Sequence, residues 1–381
     1  MKEAVWKVEK PEQNSYGTMM ENKQDAVVAM ALSGGVDSSV ACLMLTEKYS
    51  RVIGATHLIW PDSKCCSPPV VKRAEDLCKK LGIPYVVIDM ISSFTAQVVD
   101  DFADAYLAGM TPNPCIRCNE RIRFTRFYRQ LKERLTAEGQ LREGQSLFFA
   151  TGHYASIVEK NDRLFIRKGK DQAKDQSYML YRIPAEMLVN IIFPLGDFTK
   201  EEIFRQARDK ELPSGVIKES QDVCFVDDDY VTFLEGYVDK SPLAEAGNII
   251  DMKGTVLGKH KGFIHYTIGQ RKGLNLGDGP WYVAGVKPGE NLVIVGRQDE
   301  ITSRQFTVNQ CSWFCDAPEK EEAWKVKIRY NSPEITCRVT GRANNEVQVF
   351  LEDPAVITPG QSAVFYLDDL VMGGGIICAP S

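Results

Sequence analysis

The sequence predicts an α/β protein: an N-terminal doubly wound parallel sheet, a small central mostly-β domain and a C-terminal antiparallel β-barrel. Three observations carry that reading. Apolar runs of strand length alternate with helix-period segments up to about residue 155. From residue 216 the texture turns glycine-rich, with short strand patterns. After 306 apolar and polar residues alternate one by one. A chain of 381 residues exceeds one comfortable core. The expected divisions are a loose polar extension at 1–21, an α/β domain at 22–215, a central domain at 216–305 and a barrel at 306–381.

AVVAMAL (26–32) reads as a buried strand, and SSVACLMLTEKY (38–49) as a helix that begins within a glycine turn. RVIGATHLIW (51–60) is the second strand. VVKRAEDLCKKLG (70–82) is a helix stopped by Gly82 with Pro84 beyond, and YVVIDM (85–90) is the third strand. A helix from about 119 to 137 carries an apolar face at Phe124, Phe127, Tyr128, Leu131 and Leu135, and SLFFATGHYA (146–155) closes another strand. Strands separated by helices imply a parallel sheet covered on both faces. In the last domain Trp324, Val326, Ile328 and Tyr330 interleave with Lys325, Lys327 and Arg329. Val347, Val349 and Leu351 follow Asn344–Asn345, a hairpin-turn signal. No apolar run reaches membrane-spanning length and the N-terminus lacks a secretory pattern, so a cytoplasmic protein is expected.

The net charge of −5, taken alone, argues against a nucleic-acid partner. One stretch departs from that average. Arg117, Arg121, Arg123, Arg126, Arg129, Lys132 and Arg134 are opposed only by Glu120 and Glu133, which makes either a solvated helix face or a polyanion-binding stripe. Lys259, His260, Lys261, Arg271 and Lys272 form a second basic cluster. Eleven cysteines in a chain of this kind do not read as a disulfide framework. Cys42, Cys78, Cys337 and Cys378 sit in apolar or amphipathic surroundings, as small core residues do. Cys65–Cys66 carry no assignment, and Cys311 and Cys315 have metal-pair spacing with no second pair nearby. Cys115, Cys118 and Cys224 stand apart.

ALSGGVDSSV (31–40) crowds glycine, serine and aspartate into the junction of the first strand and its helix. Backbone N–H groups of such a turn converge on one point, an anion site. Ser33, Ser38 and Ser39 add hydroxyl donors. The lysine of the Walker loop is missing. Asp37 places a carboxylate where it repels phosphate unless a metal ion lies between. The loop therefore suits pyrophosphate with Mg²⁺, with cleavage between the α- and β-phosphates of ATP. SGGVDSS resembles the signature of ATP-pyrophosphatases, which adenylate a substrate oxygen and then displace AMP. A glycine turn that merely joins strand to helix is the plain alternative.

TPNPCIRCN (111–119) sets Cys115 and Cys118 at the mouth of the basic helix, where two prolines fix the chain and the helix N-terminus favours a thiolate. ESQDVCFV (219–226) holds Cys224. Zinc ligation, a redox couple and nucleophilic catalysis all stand open at this point, although zinc lacks a fourth ligand.

SGGVDSS, TPNPCIRCN followed by RIRF, TGHYA, KDQSY, ESQDVCFV, HYTIGQRKGLNLG, IRYNSP and GGGII occur in that order. Together they resemble the bacterial tRNA-specific 2-thiouridylase family over nearly the whole chain from about residue 25. The resemblance implies an adenine nucleotide α-hydrolase-like catalytic domain at 22–215 that binds ATP, and a central domain that binds tRNA. It implies a tRNA uridine 2-sulfurtransferase reaction: ATP adenylates the C2 oxygen of uridine 34 in the tRNAs for Lys, Glu and Gln, and sulfur displaces AMP. Carried over residue by residue, Ala31, Leu32, Ser33, Gly34, Gly35, Val36, Asp37 and Ser38 bind the nucleotide, helped by Gly152 and by His57. Better-known members often have methionine at the His57 position, so a backbone contact is expected there. Asn113, Pro114 and Cys115 meet the target base, and Lys174, Asp175, Gln176, Arg329 and Tyr330 touch the tRNA.

The resemblance further implies that Cys224 receives sulfur as a persulfide from a sulfur-relay protein or cysteine desulfurase. Cys118 then helps release it and ends in a disulfide with Cys224. His153 reads as a satisfied histidine that orients the TGHY turn rather than as a general base. Cys115 is a departure, because better-known members carry aspartate there. Three thiols open an alternative in which Cys115, Cys118 and Cys224 hold a [4Fe–4S] cluster. Two other readings compete. One is an ammonia-dependent synthetase with no essential cysteine pair. The other is a metal or iron–sulfur scaffold with a regulatory ATP loop. A 4-thiouridine synthase is expected to carry an extra N-terminal domain that residues 1–21 are too few to form.

Overall fold

The computed structural model describes residues 26–61, 67–212, 223–226, 229–238 and 245–379. The expected extension at 1–21 and the Cys65–Cys66 pair lie outside these residues. The first sheet is built from β1 (Val27–Ala31), β2 (Arg51–Leu58), β3 (Tyr85–Asp89), β4 (Leu147–Ala150) and, after the hairpin β5 (Ala155–Lys160) and β6 (Arg163–Lys168), β7 (Ile191–Ile192). Its order is β3-β2-β1-β4-β7 and every pairing is parallel. Every residue of β1 is buried, as befits a strand covered on both faces. β1 has β2 on one side and β4 on the other, so the chain leaves it at the point where strand order reverses. The crevice of such a sheet opens there, beyond the carboxyl ends of the strands.

SLFFATGHYA does not form one strand. β4 ends at Ala150 and the chain turns through 151–154 before β5 begins. Gly152 explains the break: a Cβ there would stand 2.9 Å from the Ser38 backbone nitrogen, so the turn lies flush against the start of helix Val36–Lys48. The hairpin β5–β6 turns on Asn161 and Asp162, both at positive φ, the conformation of a two-residue type I′ turn. β6 then pairs with the C-terminal barrel through Arg167 and Leu370. A segment expected to belong to the α/β domain thus also extends the barrel sheet.

The central sheet joins β8 (Gly247–Ile250), β9 (Val256–His260), β10 (Tyr282–Lys287) and β11 (Leu292–Gly296) in the order β10-β11-β8-β9. The barrel comprises β12 (Thr302–Trp313), β13 (Glu322–Lys327), β14 (Ile335–Arg342), β15 (Glu346–Val356), β16 (Ser362–Leu367) and β17 (Leu370–Ile377). Its order is β12-β15-β14-β13-β16-β17, closed by antiparallel pairing of β12 with β17. Trp324, Val326, Ile328, Val347, Val349 and Leu351 are all buried, in keeping with the alternation. Asn344 and Asn345 turn β14 into β15 at φ 61° and 56°. Of the four cysteines expected in the core, Cys42, Cys78 and Cys337 are buried, whereas Cys378 is only half-buried beyond the end of β17.

The expected helix at 119–137 starts earlier, at Pro114. It runs as Pro114–Arg117, then ten residues of wider π turns at Cys118–Phe127, then Tyr128–Ala137. Phe124, Phe127, Leu131 and Leu135 are fully buried, and the first two meet Phe149 of β4 edge-on at 5.7 and 5.6 Å. They are core residues, not platforms for bases.

The basic stripe on this helix is not one surface. Arg117 and Arg121 bind Asp101 at 3.5 and 2.8 Å, while Arg117 and Arg182 hold Glu120 at 3.1 and 2.7 Å. Arg134 pairs with Glu138. Among the described residues Arg126, Arg129 and Lys132 carry no ion pair, and of these Arg129 and Lys132 are exposed. The second cluster loses a member too. His260 is buried, with Nδ1 accepting from the Gly262 N–H and Nε2 at 3.0 Å from the Asn291 carbonyl.

Burial pushes the Glu120 carboxyl up, but Arg182 and Arg117 more than offset this and hold it below the ordinary glutamate range. Its contribution to stability is therefore complete above that range and lost as pH falls through the depressed value. Glu120→Gln is expected to cost about 2–3 kcal/mol in urea unfolding near pH 7, less than a fully buried pair because Glu120 keeps some exposure. The gap between variant and parent should close in acid; equal unfolding midpoints at pH 7 would remove the network from the account.

Candidate active site

The chain leaves β1 into Leu32, whose N–H donates to the Ala55 carbonyl of β2 at 2.8 Å and whose carbonyl accepts from Thr56 Oγ1 at 2.9 Å. Gly34 follows at φ 65°, and a Cβ there would meet the Val70 carbonyl at 2.9 Å. Glycine is therefore required on both conformational and steric grounds. Ser38 Oγ closes the turn, accepting from the Ser33 N–H at 3.3 Å and lying 3.2 Å from Ser33 Oγ. Ser38 Oγ and Ser39 Oγ both donate to the Gly35 carbonyl, at 3.1 and 2.9 Å. Ala31, Leu32, Gly34 and Val36 are buried and Ser33 is exposed. The strand end and helix start thus form a rigid cup whose open side is lined by Ser33 and Asp37.

Asp37 is not a bare carboxylate. Tyr154, at the end of the TGHY turn, donates its hydroxyl to Oδ1 at 2.7 Å, and the Lys200 ammonium lies 2.6 Å from Oδ2. The sequence reading missed both residues. Thr199 and Glu202 make a capping box that starts helix Lys200–Asp209, so the helix start was legible. Nothing local tied its first residue to a loop far upstream.

Asn113 caps the cysteine helix by accepting from the Ile116 N–H at 3.4 Å, with Pro114 at the first helical position. Cys118 is buried and Cys115 exposed. Desolvation pushes the Cys115 thiol up, and the Arg123 guanidinium pulls the other way. Arg123 is the hub of this mouth: it donates to Asn119 Oδ1 at 2.7 Å and lies 3.4 Å from His153 Nε2. His153 Nδ1 sits 2.7 Å from Thr151 Oγ1. Burial, reinforced by Arg123, pushes His153 down to about 3. With both nitrogens partnered, the ring is held as a residue that orients the turn.

His57 lies near the end of β2 with its ring 4.8 Å from that of Phe127. Burial and Arg123 push it down to about 3 as well, and neither ring nitrogen has a hydrogen-bond partner. Cys224 is half-buried. Its neighbour Phe225 packs on Trp60, Phe94, Phe102 and Phe233. The Phe94 and Phe102 contacts belong to the helical run Ile91–Phe94, Thr95–Val99, Asp100–Leu107, which also receives Arg117 and Arg121 from the cysteine helix. Both cysteine segments are therefore moored to the same run.

The residues expected to touch tRNA make internal contacts as well. Asp175 is buried, its carboxylate accepting from the Gly169 and Ser177 N–H groups. Gln176 Oε1 accepts from the Tyr154 N–H at 3.0 Å. Tyr330 donates to the Asp175 carbonyl at 3.2 Å, and Arg329 donates to the Ile268 carbonyl and to Thr358. Lys174 is half-buried. Segment 174–176 is thereby linked through Tyr154 to Asp37. Among the described residues, no three His, Cys, Asp or Glu side chains gather to hold a metal ion. Cys115, Cys118 and Cys224 in this arrangement do not fit a cluster. Mg²⁺ asks for less, because one carboxylate and the substrate phosphates suffice, and Asp37 fits that role.

Three family models cover the chain: one described as a tRNA methyl transferase HUP domain at residues 26–228, a tRNA methyl transferase PRC-barrel domain at 231–297 and an aminomethyltransferase beta-barrel domain at 303–377. The tRNA-specific 2-thiouridylase MnmA of Acidithiobacillus ferrooxidans is 41% identical over 358 residues, 93% of this chain and 98% of that one. The protein of the same name from Acetivibrio thermocellus is 40% identical over 92% of this chain and 98% of its own. That from Geobacter metallireducens is 39% identical over 94% and 99%. Identity at this level, end to end and with all three domains matched in order, places the chain in the tRNA-specific 2-thiouridylase MnmA family.

Proposed function

We propose that this chain is an ATP-dependent tRNA uridine 2-sulfurtransferase acting on uridine 34 of the tRNAs for Lys, Glu and Gln. One observation carries the proposal: an unbroken set of contacts joins the cysteine mouth to the phosphate loop. Arg123, held by Asn119 beside Cys118, reaches His153, and Gly152 of the same turn lies against the Ser38 nitrogen. A base flipped into that mouth stands between thiols and nucleotide, and an anticodon loop gives up a base at low cost.

In this reading the loop N–H groups and Ser33 hold the phosphates, with Gly152 allowing their close approach. Mg²⁺, when bound, supplies charge neutralisation between Asp37 and the phosphates. The uridine O2 attacks the α-phosphorus, the bond to the bridging oxygen breaks, and pyrophosphate leaves with that electron pair. The terminal sulfur of a Cys224 persulfide, delivered by a sulfur-donor protein, then adds at C2 and AMP departs. Cys118 thiolate attacks the Cys224 sulfur, forming a disulfide and leaving the second sulfur on C2 as the thione. An external thiol must reduce the disulfide at each turnover, which suits the cytoplasm; no helix among the described residues is long and apolar enough to cross a membrane.

Purified protein given ATP, Mg²⁺, a persulfide donor and unmodified tRNA for Lys, Glu or Gln is expected to yield AMP and 2-thiouridine together. Nucleoside analysis by mass spectrometry checks this. AMP released equally without tRNA would favour the small-molecule synthetase instead.

A further inference from the structure

The loop's missing lysine has a structural replacement. We propose that Lys200 is the cation that binds the β- and γ-phosphates of ATP and the departing pyrophosphate, reaching the phosphate loop from a helix far along the chain.

The argument begins with charge. Asp37 stands in a loop shaped for phosphate, and a bare carboxylate there opposes the ligand. Lys200 removes that opposition: its ammonium lies 2.6 Å from Asp37 Oδ2, with the lysine side chain 11% exposed and the aspartate 22%. The pair is secluded enough for its attraction to be little screened. The lysine backbone is fixed independently of its side chain. The capping box of Thr199 and Glu202 sets the helix start, and the Lys200 N–H donates to Asp171 Oδ2 at 2.9 Å. Its flexible stem lies against aromatic rings, with Nζ 5.0 Å from the Phe204 centroid and 5.7 Å from that of Tyr154. Phe204 is one of the few large apolar side chains left exposed, at 41%. The head group can therefore move within the crevice while the helix stays still.

Asp37 has two prospective partners, the ammonium and Mg²⁺. The geometry points to an exchange. Before nucleotide arrives Lys200 neutralises Asp37; once Asp37 turns to Mg²⁺, the ammonium is released towards the phosphates that the metal brings. There it stabilises the charge that grows on pyrophosphate as the bond to the α-phosphorus breaks. Lys200 is then a substrate-binding residue for the phosphates beyond the α position and has no part in holding AMP.

That asymmetry supplies the test, which rests on the ATP-binding reading above and separates from it. Inorganic pyrophosphate with Mg²⁺, and AMP, are titrated calorimetrically into the full chain and into Lys200→Gln and Lys200→Arg. Lys200→Gln keeps a hydrogen-bond donor for Asp37 without the charge. Pyrophosphate should bind tenfold to a hundredfold more weakly to Lys200→Gln, the span expected for a lost charge-assisted hydrogen bond, while AMP shifts by less than about threefold. Lys200→Arg should recover most of the pyrophosphate affinity. Unchanged pyrophosphate affinity, or equal weakening of both ligands, overturns the assignment. If the unaltered chain binds neither ligand, the phosphate-loop reading falls and this inference falls with it. Should Lys200→Gln not fold, Lys200→Met, whose stem fills the same space beside Phe204, takes its place with the same expected results.

Discussion

Asp37→Asn is expected to slow tRNA-dependent AMP formation about 10²–10³-fold while leaving the protein folded, the scale of losing one preorganised electrostatic contact in a reaction's transition state. The asparagine carbonyl still accepts the Tyr154 hydroxyl that Asp37 Oδ1 accepts now. What disappears is the charge that pairs with Lys200 and holds the metal. Asp37→Ala should be slower still and also less stable by about 2–3 kcal/mol, because it strands a nearly buried ammonium and a tyrosine hydroxyl together. Rapid-quench measurement of AMP and thermal unfolding of both variants separate the two effects. An asparagine variant that forms AMP at the parent rate would mean that Asp37 serves the fold alone.

What was readable in the sequence was what the chain writes locally. The glycine turn between β1 and its helix, the left-handed Gly82 cap and the Asn344–Asn345 turn each depend on a few adjacent residues, and each stands where it was expected. The buried strand β1 and the alternating barrel strands follow from periodicity, which also needs no distant partner. The misreadings share the opposite property. The basic stripe looked continuous because Asp101, which pairs with Arg117 and Arg121, comes from another element. The end of β4 was placed too late because Gly152 answers to the Ser38 backbone and not to its own neighbours. Tyr154 and Lys200 met Asp37 only after folding. His153 reads as an orienting histidine and its two ring nitrogens are partnered, while the burial beside Arg123 that lowers both His57 and His153 is a tertiary fact.

Cys118→Ser and Cys224→Ser are each expected to reduce thiolation by more than about 10³-fold while tRNA-dependent pyrophosphate release, the adenylation step, still occurs, because the thiols act after adenylation and lie outside the phosphate loop. Cys118 is buried and Cys224 half-buried. Each supplies a distinct bond in the proposed sequence, Cys224 carrying the transferred sulfur and Cys118 displacing it, so neither substitutes for the other. Cys115 is the discriminating control. Its thiol is pushed up by desolvation, with Arg123 only partly compensating, so it stands protonated near neutral pH and is a poor nucleophile. Cys115→Ser should therefore keep thiolation within about tenfold of the parent, and Cys115→Asp should do no worse. Parallel assays of pyrophosphate and 2-thiouridine on the four variants read the outcome. If Cys115→Ser falls as far as Cys118→Ser, three thiols act as one unit, and a shared metal cluster, not a two-cysteine relay, handles the sulfur.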